Sequence, residues 1–157
     1  MDTQIRRAQP EDSAPLTQIA HVAKRHWGYP ERWISLWKDV LTITPQFILN
    51  NEVYVAIISD EIAGFYALML NGNKLVLEHM WVAPAHIGLG LGRKLFSHAV
   101  ARAISLNASV IEIDADPHAE GFYERMGAQR VGEISTDIEG QPRLLPRLVV
   151  AIEGSRR

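Results

Sequence analysis

The chain has 157 residues, 47% of them apolar and 22% charged, and a formal charge of −2. This is one domain's length with enough apolar material for a core, and the weak acidity speaks against a nucleic-acid partner. The lack of cysteine excludes disulfides, thiol nucleophiles and thiolate metal sites, and no apolar run approaches the ~20 residues of a membrane span.

Met1-Asp2-Thr3-Gln4 opens no signal peptide, so a cytoplasmic protein without membrane contact is expected. Thr3 to Ala8 reads as a first strand. Asp12 or Ser13 caps a first helix with Leu16, Ile19, Ala20 and Ala23 on its buried face, closed by Gly28. Pro30 starts a second helix, with Trp33, Leu36, Trp37, Val40 and Leu41 on one stripe. Thr44-Pro45 opens a short extra turn to Leu49. Strands are expected at Glu52–Ser59 and Ile62–Leu70, joined at Asp60-Glu61, and Asn71-Gly72-Asn73 makes a second hairpin turn.

Leu75 to Val82 is an apolar strand interrupted by Glu78 and His79. Pro84 ends it, and Gly88, Gly90 and Gly92 follow at alternate positions. From Arg93 to Leu106 the pattern is helical, with Leu91, Leu95, Ala99 and Ala103 on one face. Strand, glycine-rich turn and helix in that order present backbone N–H groups at the positive end of a helix, a ready site for phosphate. The Walker pattern fails, because Gly92 is followed by Arg93-Lys94-Leu95. The dinucleotide fingerprint fails too, because its third glycine would fall on Arg93.

Val110 to Asp114 is a further buried strand. Asp116 caps a short helix that begins at Pro117 and ends at Gly127. Gln129–Ser135 and Leu144–Ile152 make the last two strands around a turn at Glu139-Gly140-Gln141-Pro142. Pro146 breaks the ladder in the last strand, so that end is expected to be an edge or a bulge. Hairpin-linked strands and one helical crossover predict a mixed sheet.

Val82-x-Pro84-x-x-x-Gly88-x-Gly90-Leu91-Gly92-x-x-Leu95 resembles the acetyl-CoA pyrophosphate loop of the GNAT N-acetyltransferase superfamily, with Ile87 where that loop usually carries Arg or Gln. Asp116-x-x-Ala119-x-x-Phe122-Tyr123-Glu124-Arg125-x-Gly127 is similar to the family's second element, with Asp116 in place of Asn. The order of elements matches the family over essentially the whole chain. The resemblance implies an α/β fold: a mixed sheet of about seven strands flanked by about four helices, splayed at the central strand to admit acetyl-CoA. It implies one GNAT domain over residues 3–153 and acetyl-CoA as co-substrate.

The resemblance also distributes roles. Ile87, Gly88, Leu89, Gly90, Leu91, Gly92 and Arg93 would hold the pyrophosphate. The backbone of Met80, Trp81 and Val82 would hold pantetheine and thioester, with Asp116, Ala119 and Phe122 beside them. Trp27 and Tyr29 lie in the loop that lines the family's acceptor site, where aromatic faces can hold an amine; packing as a lid on the core is the other reading. Amide formation needs a neutral amine, a donor to the carbonyl oxygen and a proton or donor for the leaving thiolate. Glu78, unusual in a central strand, is the candidate base, or else the partner of a buried Arg or Lys. Tyr123 is the candidate acid, or else a packed core aromatic.

His79 reads as structural. No histidine pair has ligand spacing, so no metal is expected. The expected activity is acetyl transfer to a primary amine by direct attack in a ternary complex, with a small-molecule amine or peptide acceptor, the protein acting as a monomer or homodimer. The rival from another class is a non-catalytic acyl-CoA-binding or sensing module that works through a protein partner.

Overall fold

The computed structural model describes residues 2–152, so the expected domain end at Glu153 lies outside the described residues. The strands are β1 (Thr3–Arg7), β2 (Glu52–Ile58), β3 (Glu61–Asn71), β4 (Lys74–Val82), β5 (Val110–Asp114), β6 (Gln129–Ile138) and β7 (Gln141–Ala151). The helices are α1 (Ser13–His26), α2 (Glu31–Leu36), α3 (Pro45–Asn50), α4 (Leu91–Ser105) and α5 (Glu120–Arg125). The sheet has seven strands in the order β1-β2-β3-β4-β5-β7-β6. It is mixed, as expected: β4 and β5 run parallel, while β1–β2, β2–β3, β5–β7 and β6–β7 are antiparallel.

Among the described residues there are five α-helices, in keeping with the expected number of about four. The expected extra turn is α3, a helix in its own right. Pro45 stands at its first position, and the Thr44 hydroxyl accepts the Phe47 N–H at 3.0 Å.

The chain divides into two compact units. Among the described residues, one comprises residues 2–68 with His79–Leu95, the other Met69–Glu78 with residues 96–152. In the first unit, Leu16, Ile19 and Ala20 of α1 pack with Ile43, Ile48, Val53, Val55 and Phe65, and Ala23 is buried with them as its helical spacing requires. The α2 stripe is corrected. The helix stops at Leu36, so the 3.6-residue period is lost beyond it. Ile34 and Leu41 are buried there, while Leu36 and Val40 face solvent. The β2–β3 turn is Ser59-Asp60, both with positive φ, as a two-residue hairpin turn demands.

In the first unit β3 also lies tight against β4. A Cβ on Gly64 would come within 2.7 Å of the Trp81 carbonyl oxygen, so the backbone of β4 at Trp81 is seated where only glycine lets it sit.

In the second unit, Phe96, Ala99 and Ala103 of α4 are buried, as are Ile111 and Ile113 of β5 and Leu148 of β7. The last hairpin is longer than expected, and its turn is only Glu139-Gly140, both at positive φ. β7 lies between β5 and β6, but β5 pairs it only as far as Arg147, so the end of β7 that holds Pro146 is an edge on the β5 side. Pro146 stands just past the last β5 residue and contributes only its carbonyl, which accepts the Ala115 N–H at 2.9 Å. The register shift falls on β6, between Arg130 and Gly132.

Candidate active site

The glycine-rich turn belongs to the first unit. β4 ends at Val82, a single 3-10 turn covers Pro84–His86, and α4 begins at Leu91, two residues earlier than the periodicity predicts. Gly92 therefore lies in the first helical turn, and the loop proper is Ile87 to Gly90. Gly88 and Gly90 take φ of +88° and +80°, a conformation that excludes other residues without strain. No atom lies within 4 Å of where a Cβ on either would stand. The ground above the loop is open, and Ile87, Leu89 and Arg93 are exposed beside it.

The Lys94 N–H bonds the Gly90 carbonyl at 3.2 Å. By helix geometry this leaves the N–H groups of Leu91, Gly92 and Arg93 without intrahelical acceptors. A bare, open loop ending on three such donors fits an anionic phosphate group. Next to it, His86 Nδ1 is buried with no hydrogen-bond partner among the described residues.

Met80, Trp81 and Val82 are all half-buried on β4. Trp81 is fixed by its indole N–H, which donates to His79 Nδ1 at 3.1 Å. His79 is buried between Phe47 and Phe65, and burial pushes its pKa down to about 4. A neutral ring that accepts on Nδ1 is a structural group at physiological pH. Trp27 packs on Trp81 at 5.5 Å, and Tyr29 packs on Trp33 and Trp37 at 6.1 and 5.1 Å. The Lys24 ammonium lies over Trp37, Tyr29 and Trp27 at 4.2, 5.0 and 5.6 Å. Trp27 and Tyr29 thus belong to one aromatic group, half-buried, on which a cation already rests.

The second unit holds Glu78, Asp116, Ala119, Phe122 and Tyr123. β4 and β5 pair only at Lys74–Val110, Leu75–Ile111 and Val76–Glu112. Both strands continue past that point, so the parallel ladder opens before Glu78 and Asp114. Glu78 is solvent-accessible, yet its pKa is raised, first by desolvation and then by the Asp114 charge. Asp114 is itself held by Arg147, at 2.8 and 3.3 Å. Among the described residues no Arg or Lys ion-pairs with Glu78.

Asp116 caps the 3-10 turn Pro117–Ala119, its carboxylate accepting the His118 N–H at 2.9 Å. The same oxygen lies 2.8 Å from His118 Nδ1, and Arg143 reaches the other oxygen at 3.4 Å. The turn runs straight into α5. There Tyr123 is 7% exposed, against Phe122 at 5.3 Å and Phe96 at 6.0 Å. Burial, then the Asp116 charge, pushes the Tyr123 pKa well above the ordinary phenol value. The group keeps its proton and is a hydrogen-bond donor throughout the physiological range. Ala119 and Phe122 are half-buried.

Three residues of this unit escape sequence reasoning. Asp114 and Arg147 are 33 positions apart, and Arg143 is 27 from Asp116. No local spacing signals such pairs.

Residues 41–137, more than half of the chain, match the family model described as Acetyltransferase (GNAT) domain. The chain belongs to the GNAT acetyltransferase family. A 5-NmdU N-acetyltransferase of Pseudomonas phage PaMx11 is 28% identical over 82% of this GNAT chain and 89% of its own length. The peptidyl-lysine N-acetyltransferase YjaB of Salmonella typhimurium is 27% identical over 76% of this chain and 90% of its own. The crystal structure of the PaiA N-acetyltransferase of Thermoplasma acidophilum, in complex with coenzyme A, superposes with a TM-score of 0.77. It is 17% identical and covers 96% of this chain and 99% of that one, so it shares the GNAT fold. Among the described residues of this GNAT chain no helix is long and apolar enough to cross a membrane. No group of three or more His, Asp or Glu among them is arranged to hold a metal ion.

Proposed function

We propose that the protein transfers the acetyl group of acetyl-CoA to a primary amine by direct attack in a ternary complex, with residues 3–153 acting as one acetyltransferase domain. The observation that carries this reading is the loop at Gly88 and Gly90, open above and followed by the bare donors of Leu91, Gly92 and Arg93. The loop from Ile87 holds the pyrophosphate. The backbone of Met80, Trp81 and Val82 takes the pantetheine and the thioester carbonyl, with Asp116, Ala119 and Phe122 along the pantetheine. Asp116 lacks the amide donor of an Asn, so its part is to cap its helix and not to donate.

Glu78 takes the proton that the amine must lose, through a water. A carboxylate with no ion-paired Arg or Lys among the described residues and with a raised pKa is suited to that role. As the carbon–nitrogen bond forms and the carbon–sulfur bond breaks, the Tyr123 hydroxyl donates a hydrogen bond to the departing sulfur, which leaves as the thiolate and takes its proton from solvent, while the proton collected by Glu78 returns to solvent. With no cysteine in the chain, a thiol acyl-enzyme has no nucleophile. Trp27 and Tyr29 line the acceptor. The relatives named for peptidyl-lysine and for 5-NmdU support an amine acceptor, in a peptide or a small molecule.

Two measurements test the reading. Acetyl-CoA at about a hundredfold excess over Kd raises the melting temperature by roughly 5–10 °C, and NADH does not. Equal shifts from both would defeat the loop assignment. Acetyl-CoA consumption is then followed against free amines, lysine peptides and 5-NmdU, with the acetylated product identified by mass spectrometry. A thermal shift with no turnover across the panel would favour the non-catalytic binding module.

The Glu78 assignment has its own test, in the acid limb of the pH–rate profile. A base works deprotonated, so turnover rises with pH through the Glu78 pKa. Glu78→Gln removes that limb and lowers turnover at least about tenfold near neutral pH, with CoA affinity nearly unchanged. Asp114→Asn removes the negative charge that helps to raise the Glu78 pKa, so its limb moves to lower pH. A Glu78→Gln profile that superposes on the wild type would make Glu78 structural.

A further inference from the structure

We infer that Arg143 is a positioning residue for acetyl transfer: its guanidinium holds the Asp116 carboxylate, and that carboxylate fixes the short helix that carries Tyr123. The inference rests on the reading of Tyr123 as donor to the leaving sulfur.

Arg143 comes from β7, opposite Thr136 of β6, and reaches Asp116 at 3.4 Å. The two side chains are 15% and 8% exposed, whereas the arginine side chains paired with Asp12, Glu52, Glu31, Glu120 and Asp114 are 42% exposed or more. A carboxylate so far from water is costly unless a cation and hydrogen bonds satisfy it. Asp116 has both. One oxygen caps the turn and meets the His118 ring, and the other faces Arg143.

The Asp116 backbone is tied in as well, its carbonyl accepting the Ala119 N–H at 2.8 Å. The turn continues into α5 without a break, so an error at Asp116 is passed to Tyr123 four residues after Ala119. The Tyr123 ring is enclosed by Phe96 and Phe122 and cannot correct it locally. A reacting group misplaced by about 1 Å can cost up to ~10²-fold in rate. An Asn at position 116 would cap the turn as well as Asp does and would need no counter-ion. The Asp in this chain and the arginine that answers it are therefore one device.

The test is a pair of double-mutant cycles with kcat and KM for acetyl-CoA measured separately. Arg143→Gln lowers kcat about tenfold and changes KM less than about threefold. Arg143→Lys, which keeps a cation, retains most of the wild-type kcat. In the Asp116→Asn background Arg143→Gln lowers kcat less than about threefold, because the buried carboxylate it holds is gone. In the Tyr123→Phe background it costs nothing further, because the group being positioned is gone.

A wild-type kcat in Arg143→Gln, or the same tenfold loss in either background, overturns the inference. If Arg143→Gln alone does not fold, the comparison within the Asp116→Asn background decides, with the same loss there counting against it. A Tyr123→Phe variant of unchanged turnover defeats the underlying reading of Tyr123 and the inference with it, whatever Arg143→Gln does. Additive losses with a real Tyr123→Phe defect defeat the inference alone.

Discussion

Tyr123→Phe is expected to lower turnover about 10²-fold while leaving CoA affinity close to wild type. The ring stays between Phe96 and Phe122, so the packing of α5 survives the change. What is lost is a donor needed only while the carbon–sulfur bond breaks, and such a loss appears in kcat and not in ground-state binding. A positioned acid contributes ~10²–10⁴-fold. The low end applies because burial raises the phenol pKa, so Tyr123 stabilises the sulfur by a hydrogen bond rather than by giving up its proton.

The same sign has a consequence for pH. A phenol with a pKa above ~10 gives no falling limb at or below that pH, so any such limb in the wild type belongs to another group. The check is kcat, CoA affinity and the melting temperature of the purified variant. Unchanged turnover under conditions where chemistry limits the rate would return Tyr123 to the core and remove it as the donor to the departing sulfur.

Gly90→Val is expected to weaken CoA binding at least about tenfold, a loss of ~1.4 kcal/mol or more. Two effects act together. The φ of +80° strains any β-branched residue, at a cost of about 1–3 kcal/mol, and the new side chain stands in the open ground above the loop. Strain alone lowers stability without selecting the loop as the binding site, so a second glycine supplies the control. Gly140 has φ +75°, an equally open Cβ position and a place in the β6–β7 turn. Gly140→Val should lose comparable stability and bind CoA normally. Calorimetric affinities and melting temperatures of both variants separate the two effects. Unchanged affinity in a folded Gly90→Val variant, or equal affinity losses in both, would mean that the loop does not hold the phosphates.

Much of the architecture was legible in the chain itself, for a local reason. The buried face of α1, the span of β5, the Thr44 and Asp116 caps and the glycine turn each depend on residues within about four positions of one another. Glu78 stood out because a carboxylate is foreign to a central strand, and Tyr123 because its motif placed it. Local rules failed where one pattern had two continuations. The spacing Trp33, Leu36, Trp37, Val40 and Leu41 would suit a long helix, but the chain leaves the helix at Leu36 and buries Ile34 and Leu41 by a different turn.

Only the tertiary structure decided the electrostatics. Strand order sets β7 beside β5, and this brings Arg147 to Asp114 and Arg143 to Asp116 across 33 and 27 residues. Beyond the early end of the β4–β5 ladder, Glu78 lies near the Asp114 charge, and among the described residues no Arg or Lys ion-pairs with it. Trp81 meets Trp27, 54 residues away, only through the fold, while its bond to His79 is a local one between residues on one face of β4. A residue's type and neighbours in sequence determine which element it joins. Its charge state and its partners depend on which distant segment the fold sets beside it, because Coulomb energies and desolvation follow distance in space and not along the chain.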